Sequence, residues 1–276
     1  MAGEALKRRL AVLLCLVGTA CGGLADRQAL APRLTHEAGW TFETLTGGAF
    51  EMAAAVAPVK VSPTLVVYLE GDGLAYVDRS QPAHDPTPRD PTALRLALAH
   101  PDRSANVAWL GRPCQYVMSP QCQTAYWTDK RYAPEIVDSV SIVIDQLKAR
   151  SHAANLTLVG YSGGGAIAAL LTARRGDVGR LVTVAADLDL TYWTMRQKLT
   201  PLGGSLDPAD FTTALAGVPQ VHLTGGKDTV VGTEVARAYL SRLPASAPAR
   251  LIEVPGFTHT CCWARDWSEL YPQSDR

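Results

Sequence analysis

Short apolar runs alternate with amphipathic stretches along most of the chain. Two segments with alternating polarity flank Gly47 and Gly48, which predicts a β-hairpin over residues 40–53. The later apolar runs predict strands, and stretches with apolar residues three and four positions apart predict helices. The predicted strands are residues 64–69, 106–110, 156–159, 181–186, 220–224 and 250–254, and the predicted helices are residues 91–100, 134–150, 163–175 and 234–243. This alternation predicts an α/β fold with a mostly parallel central sheet and helices on both faces.

Two stretches interrupt the alternation. Residues 71–90 are rich in proline and aspartate and predict a long loop. Residues 187–212 combine aromatic residues with glycine and proline. Long loops in compact domains often carry binding functions, so we interpret residues 187–212 as a candidate lid insertion. The folded domain is expected to cover residues 39–276, preceded by an N-terminal tail over residues 21–38.

The first 20 residues have the layout of a secretory signal peptide. A basic segment at residues 7–9 precedes an apolar run at residues 10–17, which is too short for a membrane-spanning helix. The small residues before Cys21 resemble the lipobox of bacterial lipoproteins, although Gly18 stands where that motif usually has leucine. We expect residues 1–20 to be removed and Cys21 to be lipidated, which would anchor the protein to a membrane of the bacterial cell envelope, facing the periplasm. A simple cleaved signal is the alternative.

Charge and cysteine content narrow the function classes. Lysine plus arginine equals aspartate plus glutamate, at 26 each, and no run of like charge could form a binding arm, so we expect no nucleic-acid partner. Beyond Cys21 an even number of cysteines remains, which fits disulfides in an oxidising compartment better than a zinc site. Cys114 and Cys122 are close in sequence and are expected to pair. Cys261 and Cys262 could pair with each other, remain thiols or bond to the Cys114 loop.

The segment Gly160-Tyr161-Ser162-Gly163-Gly164 is a G-x-S-x-G motif between an apolar strand and a helix. A strand–turn–helix of this kind forms a nucleophile elbow, in which a strained serine projects its hydroxyl from the edge of the sheet. The helix N-terminus then points free N–H groups toward a developing oxyanion. The sequence therefore predicts Ser162 as a nucleophile. A glycine-rich turn that happens to contain a serine is the structural alternative.

Serine needs a base to accept its proton, and that base needs an acid to orient it. Among six histidines, His259 lies in a loop soon after the last predicted strand, from which it can reach the edge of the sheet. Asp228 lies just beyond the strand at residues 220–224, and we favour it as the acid. Its structural alternative is an Asx turn or a helix cap. Asp187 and Asp189, after the preceding strand, are the rival acids.

Together the order of elements, the elbow and the order Ser162, Asp228, His259 resemble the α/β-hydrolase superfamily over residues 39–272. The sequence also resembles bacterial hydrolase lipoproteins of unassigned substrate. The resemblance implies an oxyanion hole formed by the N–H of Gly163 and an N–H of the loop after the third strand. That loop, Glu70-Gly71-Asp72-Gly73, matches the family's H-G-x-G sequence except that glutamate replaces histidine. By position Asp72 is the second donor, with Gly73 next.

Three residues are candidate substrate contacts. Arg112 and Tyr116 follow the fourth predicted strand, and Trp193 lies in the candidate lid. Arg112 is also a candidate ion-pair partner for the carboxylates of the oxyanion loop, and the segment around Tyr116 could instead be a disulfide-tied loop with aromatic packing.

The leading functional hypothesis is hydrolysis of a small-molecule carboxylic ester through an acyl-enzyme, without a metal or another cofactor. Acyl transfer and peptide hydrolysis can use the same residues. A non-catalytic binding protein of the cell envelope is the alternative from another functional class.

Overall fold

Eight strands form one sheet in the computed structural model, which describes residues 23–273. The sheet has the strand order β1-β2-β4-β3-β5-β6-β7-β8. The β1–β2 and β2–β4 pairs are antiparallel, and every other pair is parallel. The prediction of a mostly parallel sheet with an N-terminal hairpin is confirmed. The strands are β1 Thr41–Gly47, β2 Phe50–Val56, β3 Thr64–Leu69, β4 Asn106–Leu110, β5 Asn155–Tyr161, β6 Val178–Val184, β7 Gln220–Gly225 and β8 Ala249–Val254.

Helices cover both faces of this sheet, as the alternating pattern predicts. Within β3, Leu65, Val67 and Leu69 belong to one apolar core, whereas Val66 and Tyr68 belong to the other. This alternation follows from the two-residue period of a strand whose two faces are both buried. The helices are α1 Leu24–Glu37, α2 Thr92–Leu98, α3 Pro134–Ser151, α4 Gly163–Arg174, α5 Leu190–Gln197, α6 Thr212–Leu215, α7 Thr233–Arg242 and α8 Trp267–Gln273, with 3-10 turns at Thr124–Trp127 and Pro208–Phe211.

The N-terminal part differs from the expected tail. Residues 24–37 form α1, in which Ala31 and Thr35 are fully buried. The sequence pattern does not predict this helix, because Pro32 lies within it and proline is unfavourable inside a helix, and because few of its residues are buried. The predicted signal peptide and Cys21 lie outside the described residues. Within residues 23–273 no helix has the length and apolar character needed to cross a bilayer.

Two disulfides lie near the carboxyl edge of the sheet. Cys114 bonds to Cys122, with the two Cα atoms 5.7 Å apart, as their proximity in sequence predicts. Cys261 bonds to its neighbour Cys262, which was one of the three open alternatives. Neither bridge joins the two loops.

Candidate active site

Ser162 occupies the sharp turn between β5 and α4. Its backbone has φ 51° and ψ −126°, an unfavourable conformation for a residue with a side chain. The turn is tight enough that a Cβ on Gly160 would lie 2.3 Å from the carbonyl oxygen of Gly164. A side chain at Gly160 would force β5 and α4 apart, and a Cβ on Gly164 would lie 2.2 Å from the Leu69 carbonyl oxygen, so both glycines allow the elbow to pack.

His259 reaches this turn from the loop after β8. Its Nε2 lies 3.1 Å from Ser162 Oγ, and its Nδ1 lies 2.9 Å from Asp228 Oδ2. The backbone carbonyl of His259 accepts hydrogen bonds from Tyr161 Oη at 3.0 Å and Trp263 Nε1 at 2.9 Å. These two contacts fix the loop, so the imidazole is held between the serine and the carboxylate.

Asp228 lies in the turn after β7, and its carboxylate is fully engaged. While Oδ2 faces His259, Oδ1 accepts the N–H groups of Val230 and Val231 at 2.8 and 3.1 Å. Burial opposes ionisation, but the bond to His259 and the two N–H groups lower the pKa of Asp228 below its usual range. Asp228 is therefore an anion that can orient the imidazole and stabilise its protonated form.

The two rival aspartates have other partners. Asp189 caps α5 by accepting the N–H of Tyr192 at 2.8 Å. Asp187 faces Tyr132, whose Oη lies 3.1 Å from Asp187 Oδ2. Among the described residues, Asp228 is the carboxylate hydrogen-bonded to His259, which favours Asp228 over both rivals.

The loop after β3 lies against the elbow. A Cβ added to Gly71 would lie 3.3 Å from the Ser162 Cβ, and one on Gly163 would lie 2.1 Å from Asp72 Oδ1. Within residues 23–273 the Asp72 N–H donates to no backbone carbonyl, and the Gly163 N–H, as the first of α4, has no acceptor within the helix. The oxyanion loop therefore lies beside Ser162 and Gly163, and the assignment of the Gly163 and Asp72 N–H groups as oxyanion donors, with Gly73 next, stays a prediction.

The Asp72 side chain belongs to a buried ionic cluster. Arg112 Nη1 donates to Oδ1 at 2.8 Å, and Arg131 Nη1 donates to Oδ2 at 2.6 Å. Tyr132 Oη lies 3.1 Å from Oδ1 and 2.9 Å from Oδ2. Burial opposes ionisation, but the two guanidinium groups lower the pKa of Asp72 below its usual range. The carboxylate beside the oxyanion site is thus neutralised, as the sequence suggested for Arg112.

Glu70 stands where the family's H-G-x-G loop has histidine, and its carboxyl group is fully hydrogen-bonded. Its carboxyl group accepts the N–H groups of Gly71, Ala93 and Leu94, and the indole N–H of Trp109. Burial raises the pKa of Glu70 to about 7, against the lowering effect of these four donors. Glu70 therefore connects the oxyanion loop to the N-terminus of α2.

A cavity of about 400 Å³ opens beside Ser162 and His259. Trp193, one of the predicted substrate contacts, lines it, together with Asp187. Trp193 is held by its indole N–H, which donates to the Val230 carbonyl at 2.9 Å. The opening of residues 187–212 as a lid stays a prediction.

The other two predicted substrate contacts are not among the residues that line this cavity. Arg112 is turned toward Asp72, and Tyr116 packs edge-on against Trp109 with ring centroids 5.5 Å apart. Gln115 of the same disulfide-tied loop donates to the Gly71 carbonyl at 2.9 Å. This loop therefore supports the oxyanion loop through the buried side chain of Gln115.

Sequence reasoning missed Arg131 and Tyr132. They lie between a 3-10 turn and α3, in a segment without a motif, and are almost fully buried. A buried arginine requires an anionic partner, but the sequence does not show which residues are buried in this loop.

No family model matches this sequence, and no curated protein matches it. Solved structures resemble it at low sequence identity. An α/β serine hydrolase homologue from Coxiella burnetii has a TM-score of 0.59 at 15% identity, covering 85% of this chain and 95% of that chain. An esterase from Pyrococcus furiosus has a TM-score of 0.61 at 10% identity, covering 86% and 91%.

A bacterial membrane phospholipase A has a TM-score of 0.61 at 18% identity, covering 97% of each chain. This likeness extends over nearly the whole chain. The strand order, the position of Ser162 between β5 and α4, and these structural neighbours agree: the chain has the α/β-hydrolase fold.

Proposed function

We propose that this protein is a serine hydrolase that cleaves a carboxylic ester through an acyl-enzyme intermediate. The hydrogen-bonded series Asp228–His259–Ser162 carries the proposal, with distances of 2.9 and 3.1 Å. The names of the structural neighbours, an esterase and a phospholipase among them, support the same reaction class.

In the first half-reaction Ser162 Oγ attacks the ester carbonyl carbon while His259 Nε2 accepts the serine proton. The C=O π-bond becomes an oxyanion, which the N–H groups of Gly163 and Asp72 receive. Asp228 holds the Nδ1–H tautomer and stabilises the imidazolium. The intermediate then expels the alcohol, which takes its proton from His259, and leaves the acyl group on Ser162.

In the second half-reaction water takes the place of the alcohol. His259 accepts a proton from water, the resulting hydroxide attacks the acyl carbonyl, and the same two N–H groups receive the second oxyanion. Collapse of that intermediate releases the carboxylic acid and returns the proton to Ser162. The cavity lined by Trp193 would accommodate the substrate during both steps.

Labelling with a fluorophosphonate probe tests the proposal most directly. The wild type should be labelled and should turn over simple esters, whereas Ser162→Ala and His259→Ala should lose turnover by several orders of magnitude with unchanged melting temperature. Ser139→Ala is the matched control, because Ser139 is a buried serine on α3 whose hydroxyl donates to the Glu135 carbonyl within its own helix. Asp228→Asn should lower kcat by about 10⁴-fold, because the imidazole is then held in the wrong tautomer.

Other outcomes would replace the proposal. An unlabelled, inactive wild type would indicate a binding protein on a hydrolase scaffold. Product partition toward added alcohols or amines would indicate an acyltransferase, and cleavage of peptides in preference to esters would indicate a peptidase. A series of esters with increasing acyl length then defines the substrate.

We further propose that the protein is exported and anchored through a lipid on Cys21. The basic segment, the short apolar run and the small residues before this cysteine support the proposal.

A further inference from the structure

Asp187 is a buried acid beside the catalytic residues to which the reaction above gives no role. It follows β6, is 1% exposed and lines the same cavity as Ser162 and His259. Its Oδ1 is buried and, among the described residues, has no hydrogen-bond partner. A carboxylate oxygen without a donor is costly to bury, whereas the carbonyl oxygen of a neutral carboxyl group is much less so.

The proton count around Tyr132 leads to the same protonation state. The phenol oxygen lies 3.1 Å from Asp187 Oδ2 and 2.9 Å from Asp72 Oδ2, yet a phenol carries one hydrogen. Asp72 is bonded to two arginines and is therefore ionised. If Tyr132 donates to Asp72, the short contact with Asp187 is a hydrogen bond only when Asp187 supplies the proton.

We infer that Asp187 is a positioning residue: its protonated carboxyl group donates to Tyr132, Tyr132 donates to Asp72, and this chain holds the oxyanion loop in its active position. The inference rests on the proposed ester hydrolysis. It assigns the Asp187 proton to Oδ2 and leaves Oδ1 as a carbonyl oxygen. The Asp187 proton leaves the Tyr132 hydroxyl free to donate to Asp72. Asp72 in turn carries the backbone N–H that we propose as the second oxyanion donor.

Loss of this proton would change the site in two ways. Tyr132 would then have one hydrogen for two facing carboxylates, which would repel each other across it. A second negative charge would also lie in the cavity where an oxyanion has to form. Burial and the neighbouring Asp72 raise the pKa of Asp187, whereas His259 and Arg131 lower it less strongly, to a net value of about 7. The charged and titratable groups that face Asp187 are Asp72, Arg131, Tyr132, Tyr161 and His259.

The pH dependence of ester turnover tests the inference. Above the pKa of Asp187 the protonated fraction falls about tenfold for each pH unit, so wild-type kcat should fall on the alkaline side. Asp187→Asn keeps an N–H donor toward Tyr132 and cannot ionise. It should remain active and hold kcat within about twofold between pH 7 and 9. Asp187→Leu offers no donor and should be impaired throughout this range.

Asp177→Asn is the matched control. Asp177 precedes the same strand at its opposite end, where Lys148 and Arg175 bind it, so this variant should keep the wild-type profile. Infrared spectra at pH 6 provide a readout without substrate. Glu70 and Asp187 should both contribute to the carbonyl band of protonated carboxyl groups, so this band should be weaker in Asp187→Asn than in the wild type and in Asp177→Asn.

Two results would overturn the inference. The first concerns the pH profile: wild-type kcat shows no alkaline decline. Alternatively, the decline of kcat persists in Asp187→Asn and disappears in Glu70→Gln, which would assign it to Glu70. The other is an infrared band that Asp187→Asn does not change. Labelling of Ser162 by the fluorophosphonate in every variant separates these failures from failure of the proposed hydrolase reaction.

Discussion

Asp72→Asn removes the charge at the centre of the buried cluster while keeping the shape of the side chain and the backbone N–H. In the wild type Asp72 binds Arg112 and Arg131, whose side chains are 6% and 8% exposed. An asparagine has one oxygen, so at most one guanidinium keeps an acceptor on residue 72, and the amide N–H₂ group faces the other; each guanidinium retains its backbone carbonyl, that of Arg131 for Arg112 and that of Thr128 for Arg131. The variant therefore leaves two buried guanidinium groups without their shared anion.

Breaking a buried pair in this way typically costs about 3–5 kcal/mol of unfolding free energy. We expect the lower end, about 3 kcal/mol, because Asp187 can lose its proton and partly restore neutrality. With about 2–4 °C per kcal/mol for a domain of this size, the melting temperature should fall by about 6–12 °C. Turnover should also fall, because the loop that carries the Asp72 N–H loses its anchor.

The sign of the pH dependence follows from the lowered pKa of Asp72. A carboxyl group with a depressed folded-state pKa stabilises the protein above its ordinary value near 3.8, and this stabilisation is lost as the pH falls through the folded-state pKa. The difference in unfolding free energy between the wild type and Asp72→Asn should therefore be largest near pH 7 and should decrease at acidic pH.

Thermal unfolding followed by circular dichroism, at pH 7 and at pH 4 and below, measures these differences. Asp138→Asn is the control, because its partner Arg174 is 32% exposed and Asp138 is 67% exposed. A surface pair of this kind contributes at most about 1 kcal/mol. The double variant Asp72→Asn with Arg131→Met should lose less unfolding free energy than the sum of the losses in the two single variants. A melting temperature of Asp72→Asn within about 2 °C of the wild type would refute the reasoning.

The remaining predictions concern the disulfide and the N-terminus. Replacing Cys114 and Cys122 by serine should lower the unfolding free energy by about 2–3 kcal/mol, measured by urea denaturation, because the bridge restricts the unfolded chain. Peptide mapping without reductant should recover this pair, and a peptide joining Cys114 to Cys261 would contradict it. Cys21→Ala should abolish lipid labelling and release the protein from membranes, whereas equal membrane retention in both proteins would exclude the anchor.

The sequence alone predicts the hairpin, the strands of the parallel sheet, four of the helices and the catalytic candidates. Strand and helix periods predict the strands of the parallel sheet, and G-x-S-x-G between a strand and a helix indicates Ser162. Both signals are local, because each depends on residues that lie close together along the chain. His259 and Asp228 follow as well, because loops after parallel strands meet at one edge of the sheet.

The tertiary structure decided which side chains meet within that edge. Asp187 and Asp228 follow neighbouring parallel strands, so the sequence favoured Asp228 without excluding Asp187, whereas in the structure the loop after β8 places His259 beside Asp228. The cluster around Asp72 brings together residues 40 to 60 positions apart, Arg112, Arg131 and Tyr132, from loops without regular periodicity. Their partners depend on how these loops pack, because burial makes an unpaired charge costly and only the assembled fold determines what is buried.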